Sequence, residues 1–94
     1  MRRALPVVRL VNMHMQIEIK LFTQFKQYLP DPDLAGNCRL IEIAEPATVK
    51  DVLDALGIPM DIPKVIMINK RQGTIEDRLA PFDRLTIFPA VGGG

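Results

Sequence analysis

The first strong period in the chain falls at residues 15–22, MQIEIKLF, where Met15, Ile17, Ile19 and Leu21 alternate with Gln16, Glu18 and Lys20. A period of two sends successive side chains to opposite faces, so this stretch predicts a strand with one dry and one wet face. Residues 25–29 form a short amphipathic piece, and Pro30, Asp31, Pro32, Asp33 and Gly36 after it favour turn geometry. CRLIEIA, residues 38–44, predicts a second strand, with its phase blurred because Leu40 and Ile41 are adjacent.

At residues 45–59, EPATVKDVLDALGIP, the period becomes helical, with Val49, Val52, Leu53 and Leu56 on one face. Thr48 is placed to cap the N-terminus, and Asp51, three residues on, can reach back as the second half of a capping box. Gly57 ends the helix and Pro59 prevents its resumption. KVIMIN, residues 64–69, is a continuous apolar run rich in branched residues and predicts a strand buried on both faces. KRQG, residues 70–73, reads as a turn, and residues 74–83 as irregular chain anchored by Leu79 and Phe82. In RLTIF, residues 84–88, Leu85 and Ile87 alternate with Thr86 and Phe88, and Pro89 stops this last strand.

The predicted order is therefore strand, strand, helix, strand, strand. One amphipathic helix across one face of a mixed four- or five-stranded sheet buries these faces together, an α+β arrangement in one domain. With 94 residues the chain buries only about 60 to 65% of its unfolded surface, and its 48% apolar content supplies the core. No 18-residue apolar run is present, so no transmembrane helix and no membrane partner are expected. Twelve basic and eleven acidic residues give a net charge of +1, which offers no global reason to bind nucleic acid. The single cysteine, Cys38, excludes an internal disulfide and points to a reducing, cytoplasmic setting. Residues 1–14 carry three arginines and no acid, without an adequate signal-peptide apolar region. They read as a loose extension, with an organelle-targeting peptide as the alternative, and Met13 and Met15 leave open a later start.

Side-chain chemistry is sparse. His14, the only histidine, lies in the expected extension without a positioned partner. Cys38 reads as a small buried residue opening a strand, and Asp31, Asp33, Glu76 and Asp77 as solvated turn residues. Met13, Met15, Met60 and Met67 read as core or loop filler. No metal site and no phosphate-cradling Gly-rich loop between strand and helix is encoded, so this chain is expected to bind no cofactor.

The C-terminal IFPAVGGG is different. At an average glycine usage near 7%, three in a row at a fixed place would occur in roughly three chains per ten thousand. Pro89 marks where a rigid strand would give way to a flexible segment, residues 90–94, that extends up to roughly 17 Å. Without β-carbons, Gly92, Gly93 and Gly94 can thread a narrow channel. The terminal carboxylate, with a pKa of about 3.5, is an anion at neutral pH and a nucleophile toward an activated phosphate held by another protein.

Together these pieces resemble the small sulfur carriers of the molybdopterin-synthase small subunit and thiamine-biosynthesis sulfur-carrier family, which have the ubiquitin-like β-grasp fold. The resemblance covers residues 15–94. It rests on MQIEIKLF, PATVKDVLDALGIP, VIMIN and above all LTIFPAVGGG, since the family ends in Phe-Pro-Pro-Val, one small residue and two glycines. Phe88, Pro89 and Val91 match that ending, Ala90 replaces the second proline, Gly92 takes the variable place, and Gly93 and Gly94 form the functional pair. The expected division is an extension at 1–14, a β-grasp domain at 15–89 and a glycine tail at 90–94.

The resemblance implies that an E1-like enzyme, supplying the ATP and Mg²⁺ site, adenylates the carboxylate of Gly94, after which a sulfur donor leaves a thiocarboxylate. The chain would be a monomer when free and a recharged substrate rather than an enzyme alone. It would then serve the large subunit of molybdopterin synthase or, in the thiamine branch, a thiazole synthase. Loop 30–37 and the FPAV approach favour the molybdopterin branch. Phe22 and Phe88 match partner-contacting positions, joined by Pro89, Val91 and Gly92. The rival readings are a ubiquitin-like modifier of lysines, a carrier for tRNA thiolation, and a β-grasp binding module with an idle tail. Two turns depart from the family pattern, which commonly has Gly at the positions of Lys70 and Phe82. If those turns retain positive φ, side chains there are strained.

Overall fold

The computed structural model describes residues 13–90, and all structural statements concern these. The strands are β1 (His14–Leu21), β2 (Cys38–Ala44), β3 (Lys64–Ile68), β4 (Arg71–Gly73) and β5 (Arg84–Pro89), with helix α1 (Val49–Leu56) between β2 and β3. They form one sheet in the order β2-β1-β5-β3-β4. The central β1–β5 pair is parallel and the other three pairs are antiparallel. This is the mixed sheet with one helix of the β-grasp fold.

The periods assign the core correctly in most places. Ile17, Ile19 and Leu21 of β1, Leu85 and Ile87 of β5, and Ile66 and Ile68 of β3 are buried in one cluster with Val49, Val52 and Leu53 of α1. Each such side chain contributes about 1.5–3 kcal/mol relative to exposure, which makes this single apolar layer the main source of stability. The helix begins with the anticipated capping box: Thr48 accepts from the Asp51 backbone N–H at 3.3 Å while the Asp51 carboxylate accepts from the Thr48 N–H at 2.8 Å. It ends at Gly57, with φ of 81°, where glycine avoids a β-carbon penalty.

Several expectations are corrected. His14 opens β1 and pairs with Ala44, so the strand begins one residue earlier than the period suggested. In β2 the phase resolves with Arg39, Ile41 and Ile43 half-buried and Leu40 exposed on the other face. Cys38 is exposed rather than buried, because it falls on that outward row. Residues 71–73 are a strand, not a turn: Asn69 and Lys70 alone make the reversal and Arg71 pairs back onto Ile68. β3 is buried on one face only, with Val65 and Met67 half-covered on the other. Phe82, expected as an anchor, is 78% exposed, whereas Leu79 is buried as anticipated. Residues 25–29 contribute to a 3-10 helix, Thr23–Tyr28, that buries Phe25.

Loop 30–37 is held by a residue the sequence pattern did not single out. The Arg39 guanidinium donates to the carbonyls of Pro30, Asp31, Leu34, Ala35 and Cys38 at 2.8–3.4 Å. A planar fork with five donors suits this better than any other side chain, and it ties the loop to the end of β2.

Candidate functional site

The site is assembled where β5 ends. Leu85 and Ile87 point into the core, so alternation sends Arg84, Thr86 and Phe88 to the helix-free face of the sheet. Phe22 follows β1 directly, and its N–H donates to the Ile87 carbonyl at 3.1 Å, which fixes it beside Phe88. The two half-buried rings stack with centroids 4.8 Å apart and planes 8° from parallel. Lys20 lies one strand position pair away, its Nζ 5.4 Å from the Phe22 centroid, in cation–π range. Phe88 also pairs across to Val65. The open face therefore carries an aromatic patch with a cationic edge at the point where the chain leaves the sheet.

The exit itself is braced from β3. Lys64 pairs with Pro89, and the Ala90 N–H donates to the Pro63 carbonyl at 3.4 Å. Lys64 Nζ donates to the carbonyls of Pro59 and Met60 at 3.0 and 3.2 Å and to that of Ile62. These bonds gather residues 59–62 around one ammonium, and burial pulls the Lys64 pKa below the usual lysine range, with Asp61 countering. A concavity of about 190 Å³ lined by Gln24, Ile62, Pro63, Pro89 and Ala90 opens beside the exit.

The structure thus brings together Phe22, Phe88 and Pro89. Val91, Gly92, Gly93 and Gly94 lie outside the described residues. Sequence reasoning missed Lys64, Ile62 and Pro63, because nothing local to residues 59–64 signals that they meet the end of β5. It also read Lys20 only as a polar strand position.

At the opposite end of β5 both departures from the glycine pattern are resolved. Asn69 and Phe82 have φ of 56° and 69°, whereas Lys70 is not among the described residues with positive φ. In the first turn the left-handed residue is therefore Asn69, which tolerates that region better than most residues. A second concavity of about 280 Å³ lies here, lined by Glu18, Asn69, Lys70, Phe82 and Arg84. Arg84 Nε donates to Glu18 at 2.8 Å, and this hydrogen bond, reinforced by the charge of Glu18, raises the guanidinium pKa.

Fold and site define a small β-grasp protein that carries its aromatic surface beside the exit of its last strand. The ThiS family model matches residues 19–94, and the chain belongs to that family, whose members are ubiquitin-like sulfur carriers or modifiers. Among solved structures, SAMP1 from Haloferax volcanii is similar at 24% identity with a TM-score of 0.62, covering 84% of this chain and 99% of SAMP1. The solution structure of the H. volcanii HVO 2177 protein is similar at 23% identity and TM-score 0.66, covering 86% of this chain and 88% of that one. At these identities the likeness concerns the fold. No curated protein sequence matches the chain closely.

Proposed function

We propose that the protein is a sulfur carrier whose working carboxylate is carried on Gly94 of the family's glycine ending, and that it serves as the small subunit of a molybdopterin synthase. The observation that carries this reading is the exit of β5: the half-buried Phe22–Phe88 stack and the braced Pro89–Ala90 segment precede the family's glycine ending. The folded body offers a partner an apolar surface, and the four residues after Ala90 have a maximum contour length of roughly 14 Å.

In the first step a carboxylate oxygen of Gly94 attacks the α-phosphate of ATP on an E1-like enzyme, releasing pyrophosphate and forming an acyl-adenylate. A persulfide then attacks the acyl carbon and expels AMP, leaving an acyl disulfide. A thiol cleaves its S–S bond, becoming a disulfide and freeing the thiocarboxylate, which passes sulfur to the acceptor in the large subunit. The chain contributes delivery and orientation, with ATP and Mg²⁺ held by the activating partner. The ordered loop 30–37 and the Phe88–Pro89–Ala90–Val91 approach support the molybdopterin branch over the thiazole branch.

A second reading, lysine modification, draws on the similarity of the fold to that of H. volcanii small archaeal modifier protein 1. Intact mass of the protein isolated from its cells separates the two. Replacement of one terminal oxygen by sulfur supports the carrier, whereas lysine-linked adducts support the modifier. Deleting Gly94 should abolish activation while leaving thermal unfolding unchanged; retained function would sink both readings.

A further inference from the structure

Phe82 occupies a position at which a side chain is unfavourable. Its φ of 69° places a bulky residue in the left-handed region, where glycine sits without a β-carbon clash. The surrounding bonds dictate that backbone. Phe82 N–H donates to the Gln16 carbonyl at 2.6 Å, and the Asp83 carboxylate accepts from the Ala80 N–H at 2.8 Å and from Asn69 Nδ2 at 2.9 Å. Asn69 in turn accepts from the Arg84 N–H at 2.9 Å. The strain is therefore imposed by the turn and not relieved by the ring, which is 78% exposed and takes no part in the core. A large aromatic group that strains its own backbone and packs little within the molecule has its use outside it.

We infer that Phe82 is a second docking anchor for the adenylating enzyme that receives the tail, a conclusion that rests on the carrier reading above. Phe82 leads directly into β5, whose outward row continues through Arg84 and Thr86 to Phe88 at the exit. Phe82 shares a concavity with Glu18, Lys70 and Arg84 at the start of β5, while Phe88 lies near the strand's end, so the two aromatic groups bracket the strand and together can fix the orientation of a body whose end must enter a pocket. The electrostatics beside the ring identify the complementary surface. Glu18 is engaged by Arg84 and Asp83 by the turn, while Lys70 makes no ion pair among the described residues. The partner must therefore present an apolar side chain against the ring and a carboxylate opposite Lys70.

The test compares the full chain with F82G and F82Y as substrates of the E1-like enzyme from the same cells, measuring pyrophosphate exchange into ATP and thermal unfolding. For F82G we expect KM to rise about tenfold, with kcat within about twofold and an unfolding midpoint equal to or above the parent's. F82Y keeps the parental KM because it retains the ring. An unchanged KM in F82G overturns the anchor. So does a rise in KM accompanied by a fall in midpoint, which would make Phe82 a structural residue. Absence of exchange with the parent protein would remove the carrier reading itself, and the anchor with it, a result distinct from parent and F82G exchanging alike.

Discussion

Phe22, just after β1, and Phe88 of β5 are 66 positions apart in sequence, yet their rings lie nearly parallel with centroids 4.8 Å apart. Stacked pairs contribute about 0.5–1.5 kcal/mol beyond area burial. Urea unfolding of F22A, F88A and the double variant should show a coupling energy in that range. Strict additivity would mean that the two rings are neighbours without mutual stabilisation.

Arg39 should govern the order of loop 30–37. R39A removes donors to five carbonyls in and beside the loop and is expected to destabilise the fold by about 1–2 kcal/mol. Amide hydrogen exchange gives the local readout: the Leu34 N–H, bonded to the Asp31 carbonyl at 3.0 Å, should exchange faster while Ile19 is little changed. Equal acceleration at both would indicate global loosening instead.

Thr48 supports α1 through its cap. T48A should lower stability by about 1 kcal/mol, with T48S recovering most of it, as read from chemical denaturation. Equal loss in both variants would place the effect in the lost methyl group rather than the hydroxyl.

Lys64 sets a pH-dependent prediction at the base of the exit. Burial lowers its folded-state pKa below the unfolded value of 10.5, so in the interval between them the unfolded chain binds more protons. Its contribution to stability is greatest above 10.5 and declines as pH falls through the lowered value. The difference between parent and K64M stability should therefore move in the parent's favour on raising pH through this window. A flat difference would contradict the burial effect. K64M should also speed exchange of the Ala90 N–H, which is bonded to Pro63 beside the lysine's loop.

Long, clean periods were the readable part of the molecule. The four apolar positions of β1 and the capped helix at Val49–Leu56 announce themselves because each is a local pattern matched to one buried face. β4 was hidden because three residues carry no period, and their pairing depends on a two-residue reversal at Asn69–Lys70. Phe82 misled because hydrophobicity states what a residue gains by burial, not whether the turn turns it inward.

By itself the sequence determined the single α+β layer, the helix boundaries and the glycine ending, since propensity, capping and periodicity act over a few neighbouring residues. Only the tertiary structure decided that Phe22 meets Phe88, that Pro63 and Lys64 meet the chain at Ala90 and Pro89, and that Phe82 remains exposed in a strained turn. Those relationships depend on which strands become neighbours and on which side of the sheet the helix lies. They arise from burying all apolar faces at once, a condition no local segment contains.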